Sequence, residues 1–369
     1  MQIEDLNGFL MSRDVVLAEI EKGRIMEVKQ EHLLPVYIKR TQNLEHWLEK
    51  RAIDYHRTNS RLLKKALRLA ERDDISTVLS VNGVTITDNY WVKPEGTELT
   101  WNDVKFRENY FDTLALNGDF SAFSQKPSRT PELTNLGSFE KCWKLEDGRW
   151  WMYKKANHNE LFSELFIYHL GKALGFKMAY YEACGEDIRS VDFTENASVN
   201  FEAAYGWMGD NDDYLDNYRS LMSMGCSTEI LDQYVEILLL DSFCMNVDRH
   251  TFNYGVLRNV ETGDILGMAP NFDNNIALIY NGYKPEPRNP EDLMSRMLWQ
   301  LEDEFGAVSG YVLRRGLPAV TPELIDWCTC QCENQTGIHV NREYIRQFVM
   351  TGYENTPVAK RESKFVEKP

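Results

Sequence analysis

The residues with the most chemistry in them lie in Asn246-Val-Asp248-Arg249-His250-Thr-Phe-Asn253 and in Met268-Ala-Pro-Asn-Phe272-Asp273-Asn274-Asn275. Phosphoryl transfer asks little covalent work of a protein; it asks for a carboxylate to accept a hydroxyl proton and for ligands that hold Mg²⁺ against phosphates. Mg²⁺ takes hard oxygen ligands, typically one or two carboxylates with phosphate and water completing the shell. An Asp with an Asn five positions later, and a second Asp past the next β-hairpin, offers that set. Asp248 is then the base, and Asn253 and Asp273 are the metal ligands. A lone Asp or Asn in a loop is usually a turn former; three at such junctions carry more weight. His250, beside Asp248, reads as a loop organiser rather than a base.

The D-x4-N spacing is that of a kinase catalytic loop. That template also needs a cation on the phosphates and a carboxylate to hold it. The strand RWWMYKK offers Lys154 and Lys155, which point to opposite faces. Lys154, which shares a face with Met152, is the preferred one, and Lys155 the alternative. In the following helix, Glu164 sits between Leu161 and Leu165 and is a better partner for an inward lysine than Glu160. The loop 134–141, with Gly137 and Ser138, is placed to cover phosphates with backbone N–H groups. No G-x4-G-K-[ST] occurs, which excludes a P-loop mechanism.

The elements around these residues fall into two textures. In the first 120 residues, short strands mix with helices such as NSRLLKKALRLAERDD. There Leu62, Leu63, Ala66, Leu67 and Leu69 make one apolar side. Arg57, Arg61, Lys64, Lys65, Arg68 and Arg72 make a basic side, read as a solvated face. STVLSVNGVTIT alternates around Asn82-Gly83 and predicts a hairpin. SAFSQKPSRTPEL (121–133) reads as a linker. Beyond it come two strands joined by EDGR, a helix starting at an Asn and ending before Gly175, two more strands, and then mainly helices interrupted by the hairpin YGVLRN–VETGD–ILGMAP. The expected class is α+β: a bilobal protein-kinase-like fold with an N-terminal accessory domain (1–120), a linker (121–133), a strand-rich lobe (134–200), a helical lobe (201–353) and a polar tail (354–369).

Composition sets limits on partners. The 369 residues carry 41 Lys plus Arg against 57 Asp plus Glu, a net charge of −16. A direct nucleic-acid binder needs the opposite balance. YVEILLLDSF is too short an apolar run to cross a bilayer. The acidic start MQIEDLNGFL gives no sign of a secretory leader, and seven scattered cysteines suit a reducing compartment, so a cytoplasmic location is expected. Cys328, Cys330 and Cys332 alternate on a helix and point apart, which disfavours zinc and favours buried thiols.

On N-V-D-R-H-T-F-N (246–253), A-P-N-F-D-N (269–274) and G-S-F-E-K (137–141), and on the order of the lobes, the chain resembles the HipA-type serine/threonine kinases over roughly residues 125–350. The resemblance implies ATP and Mg²⁺ as cofactors and a protein substrate. It implies Asp248 as base, Asn253 and Asp273 as metal ligands, Lys154 on the phosphates, and a nucleotide hinge near Phe193 and Glu195. Some members are toxins held by a DNA-binding antitoxin, so such a partner is implied as well. Some autophosphorylate a serine just before the loop glycine; that position is Leu136 here, with Ser138 or Thr134 as substitutes. D-R-H-x-x-N also occurs in phosphoinositide kinases, but the acidic chain lacks their positive surface for anionic lipid. A pseudokinase that only binds a partner is the other alternative, and the intact Asp248, Asn253 and Asp273 argue against it.

Overall fold

The structure, a computed structural model, describes residues 3–54, 57, 59–69, 73–124, 128–289 and 292–359. Arg72, positions 125–127 of the expected linker and most of the expected tail lie outside the described residues. Strands alternate with short helices at the front and long helices follow, an α+β order. The chain divides into two compact units: Met1–Lys155 with Arg189–Glu202 and Val256–Leu266, and Ala156–Ile188 with Ala203–Gly255 and Gly267–Pro369. This division is coarser than the five segments read from the sequence, and it cuts across the one at 134–200. Among the described residues no helix is long and apolar enough to cross a membrane.

The first unit opens on an antiparallel sheet of β1 (Gly8–Ser12), β2 (Val15–Glu21), β3 (Arg24–Val28) and β4 (Tyr90–Pro94), in the order β3-β2-β1-β4. Leu10 pairs with Ala18 on one side and Val92 on the other. All three are buried in a core that includes Leu34, Ile38, Leu48 and Val78. A second core explains why the front of the chain belongs with the next two strands. Ile53, Leu63, Phe111 and Leu114 pack with Cys142, Trp143, Trp150 and Tyr153, which lie on β5 (Lys141–Glu146) and β6 (Arg149–Lys155). Asp147 and Gly148 join these strands with φ of 49° and 76°, the left-handed pair a two-residue hairpin needs. β8 (Asp187–Val191) lies beside β6, while β7 (Tyr181–Cys184) falls in the second unit; β9 (Val199–Ala203), β10 (Gly255–Asn259) and β11 (Ile265–Met268) form another sheet, ordered β11-β10-β9.

Two expectations fail in this unit. No hairpin surrounds Asn82-Gly83: Asp74–Leu79 is a helix, capped by the Asp73 side chain accepting from the Ser76 N–H. Ile75, Val78 and Leu79 are all buried, a three-and-four spacing that outweighs the alternation. Arg57 does not belong to a solvated face. It is 1% exposed, donates to Glu132 Oε2 at 3.3 Å, and also bonds the carbonyls of Ala115 and Lys141. Glu132, inside the expected linker, is fully buried and takes further bonds from Trp143 N–H, Asn109 and Asn135. A guanidinium buried this far needs such a carboxylate to offset the cost of its desolvation, so this end of the stretch is core rather than spacer.

The second unit is built on helices: α1 (His158–Ala173), α2 (Tyr214–Ser223), α3 (Thr228–Cys244), α4 (Leu293–Phe305), α5 (Ala307–Arg315), α6 (Pro322–Thr336) and α7 (Arg342–Glu354). Asn157 caps α1 in a capping box with Glu160. Twelve of the 17 residues of α3 are buried, which marks it as the central helix; it packs against α2, α4, α5 and α7.

Candidate functional site

α3 delivers the first chemical loop. Met245 adopts the left-handed conformation at the end of the helix, and the Asn246 N–H returns to the Asp241 carbonyl. The buried Asn246 side chain then accepts from the Asp248 N–H at 3.1 Å, a local turn that fixes the Asp248 backbone. The Asp248 carbonyl receives the His250 N–H at 2.8 Å and Asn253 Nδ2 at 2.9 Å. That second bond commits the Asn253 amide nitrogen to the loop and leaves its oxygen as the atom to offer a cation. His250 Nδ1 accepts from the Phe252 N–H at 3.2 Å, so this ring nitrogen serves the loop's own geometry.

Arg249, quoted in the sequence motif but given no role there, is the centre of the arrangement. Its guanidinium makes six hydrogen bonds. Nε and Nη2 grip Asp241 at 2.9 and 2.8 Å. Nη1 donates to the carbonyls of both Asn253 (2.7 Å) and Phe272 (2.8 Å). Nη2 also reaches the side-chain oxygens of Asn271 and Asn274, at 3.0 and 2.6 Å. Burial works to lower the Arg249 pKa, but the charge and hydrogen bonds of Asp241 outweigh it and hold it above its ordinary value. The two proposed metal ligands thus follow from carbonyls hung on one nitrogen: Asn253 itself, and Phe272 next to Asp273.

The Asp273 loop is held from a second side. Asp273 has φ of +59°, and its N–H donates to the Tyr181 hydroxyl at 3.0 Å. Tyr181 stays a phenol, because burial and then the nearby Glu164 charge push its pKa well above the usual value. Asn274 donates through its N–H and Nδ2 to Glu164 Oε1, at 2.8 and 3.2 Å. Its own side-chain oxygen accepts from Arg249 and Asn246. Glu164 is fully buried on α1, and the adjacent Ser163 Oγ donates to the Ala277 carbonyl. A continuous polar chain therefore runs Glu164–Asn274–Arg249–Asp241. Asp248, His250, Asn253, Asp273 and Glu164 all belong to this one unit.

The remaining candidates lie in the first unit. Lys154, 7% exposed, sits opposite Lys141 in the β5–β6 register, with its ammonium 4.5 Å from the centre of the Phe139 ring. Lys155 is half-buried. Gly137 has φ of +102°, and a Cβ there would strike the Lys141 ammonium. Ser138 beside it and Leu136 are exposed, and the Thr134 hydroxyl is buried and donates to the Val84 carbonyl. Phe193 packs edge-on against Phe201. Glu195 starts a run of three left-handed residues, Glu195, Asn196 and Ala197. Asp192 anchors that turn by accepting from Thr194 and Asn196.

Asp273 and Asn253 carry a carboxylate and an amide oxygen, hard donors of the kind Mg²⁺ takes. Among the described residues no group of three or more His, Cys, Asp or Glu is arranged to hold an ion. A carboxylate and an amide oxygen on two loops tied to one arginine match the sparse protein share of a Mg²⁺ shell.

The architecture is an α+β fold of the HipA kind, with strands ahead of a mainly helical region, as the sequence predicts. Among solved structures the chain is similar to the HipA of Shewanella oneidensis MR-1, solved in a toxin–antitoxin complex with HipB and its operator DNA. It has a TM-score of 0.57 over 98% of this chain and 100% of that one, at 11% identity. The Helicobacter pylori proinflammatory kinase CtkA aligns with a TM-score of 0.45 over 61% of this chain and 95% of that one, at 14% identity. No family model and no curated protein matches the sequence.

Proposed function

We propose that the protein is an ATP- and Mg²⁺-dependent protein serine/threonine kinase of HipA type. In this reading Asp248 accepts the proton of the substrate hydroxyl, Asn253 and Asp273 hold the metal, and Lys154 meets the phosphates under the Gly137–Ser138 turn. Glu164 acts by positioning the Asp273 loop through Asn274. Mg²⁺ supplies charge neutralisation on the phosphates when bound. The observation that carries the reading is the single Arg249 nitrogen shared by the Asn253 and Phe272 carbonyls, since it brings the base loop and the second ligand loop together. The HipA complex includes HipB and operator DNA; by that likeness the proposal extends to a toxin role with a DNA-binding antitoxin partner.

The test uses γ-labelled ATP with the parent chain, Asp248→Asn and Asp273→Asn. The parent should label protein. Asp248→Asn should keep nucleotide binding and lose roughly 10²–10⁴-fold in transfer, the usual worth of a positioned base. Asp273→Asn should weaken metal-dependent nucleotide binding. Transfer by Asp248→Asn at the parent rate sinks the base assignment. Label in the organic-soluble fraction points to a lipid kinase, and nucleotide binding without transfer to any acceptor to a pseudokinase.

A further inference from the structure

The loop between Asp248 and Asn253 is also held from the segment 205–212. Thr251 lies three residues after the proposed base and two before the proposed ligand, and it is buried. Each of its polar groups is committed to that segment. Its N–H donates to Asp212 Oδ1 at 3.0 Å, its hydroxyl donates to the Gly209 carbonyl at 2.7 Å, and its carbonyl accepts from the Tyr205 N–H at 2.9 Å. Next to it, the Phe252 ring stacks on Tyr205, with centroids 4.6 Å and planes 17° apart.

The anchoring segment is itself braced at both ends. It opens on the short helix Tyr205–Met208, where Trp207 Nε1 donates to the buried Asn217 of α2 at 2.7 Å. Gly209 ends that helix with φ of +63°, a conformation that favours glycine, and its carbonyl is the one that meets the Thr251 hydroxyl. On the far side Asp213 caps α2 by accepting from the Asp216 N–H, and its own N–H donates to Asn211 Oδ1 at 3.0 Å. Asp212 stands between these braces. It is exposed, so its carboxylate fills no core; what it supplies is an acceptor for a backbone N–H in the loop that carries base and ligand. A misplacement of reacting groups by about 1 Å costs on the order of 100-fold in rate. We propose that Asp212 is a positioning residue for phosphoryl transfer, fixing the Asp248–Asn253 loop through Thr251. The proposal rests on the kinase reading of that loop, and its test separates the two.

The full parent chain is compared with Asp212→Ala and with Asp212→Asn, which keeps an acceptor oxygen. Hydrogen–deuterium exchange read by mass spectrometry reports on the loop whether or not the chain is active. In Asp212→Ala the peptide 247–253 should exchange about 3–10-fold faster, the worth of one hydrogen bond, while a peptide from the middle of α3 keeps the parent rate. Transfer from γ-labelled ATP to dephosphorylated casein should fall about 10–100-fold in kcat with KM for ATP unchanged. Asp212→Asn should recover most of both losses. Unchanged loop exchange in Asp212→Ala overturns the clamp, as does equal acceleration in α3, which marks a global loss of stability. A faster loop with the parent kcat overturns the positioning role, and no recovery in Asp212→Asn overturns the hydrogen bond as its cause. A parent that labels neither casein nor itself fails the kinase reading, and the role in transfer with it; exchange still decides whether Asp212 holds the loop.

Discussion

Replacing Arg249 by Met tests whether the two chemical loops really depend on one side chain. The arginine and Asp241 side chains are 2% and 1% exposed. Removing one partner of such a pair leaves an uncompensated buried charge, at a cost of about 3–5 kcal/mol. The carbonyls of Asn253 and Phe272 and the Asn274 oxygen lose a donor at the same time. Each orphaned group adds roughly 1–3 kcal/mol, though not additively. A total of at least about 4 kcal/mol is expected, a fall of roughly 8–16 °C for a unit of this size. Scanning calorimetry reads this directly. Arg249→Lys keeps the charge but has three donors for six bonds, so it should fall between parent and Met. Adding Asp241→Asn to the Met variant should recover part of the loss, because the stranded charge disappears. A loss under about 1 kcal/mol in Arg249→Met would refute the hub, and no recovery in the double variant would refute the buried charge as its cause.

Two further outcomes follow from other contacts. Tyr181→Phe removes only the hydroxyl that accepts the Asp273 N–H; losing one neutral hydrogen bond, worth about 1 kcal/mol, should weaken Mg²⁺-dependent nucleotide binding about fivefold while metal-free nucleotide binding holds, as a magnesium titration would show. Glu236 has its pKa raised from 4.5 to about 7, first by burial and against the Tyr311 hydrogen bond and the Arg315 charge. The folded state then binds the proton more tightly than the unfolded one, so stability falls as pH climbs from about 4.5 to about 7; Glu236→Gln should flatten that slope in melting curves taken across the window.

Much of the fold was legible because its signals are local. The EDGR turn and the Asn start of α1 each need only a few neighbouring residues to specify them, and each lies where the pattern places it. The misreadings have a shared physical origin in contacts made far along the chain. STVLSVNGVTIT satisfies both periods over its short length, and burial of Ile75, Val78 and Leu79 in the first core chose the helix. Arg57 is spaced four and eight residues from the exposed Arg61 and Lys65; partners far along the chain, Glu132 75 residues away first among them, make it a core residue. Strand β9 went unread because its alternation is brief and its pairing partner, β10, lies more than 50 residues downstream.

The site divides the same way. Asp248, Asn253 and Asp273 stand out in sequence because their spacing is dictated by chemistry, and loops can carry them at fixed separations from a helix end and a hairpin end. The residues that hold those loops obey no spacing rule. Asn274 must offer its oxygen to Arg249 and its nitrogen to Glu164, and Asp241 must lie one turn before the end of α3. One signal was present: an aspartate inside the apolar run ILLLDSFC. A charge buried on a central helix requires a partner, and the nearest cation downstream is Arg249, eight residues on. That requirement links α3 to the 246–253 loop through one ion pair, whose two members lie on either side of the helix end at Met245.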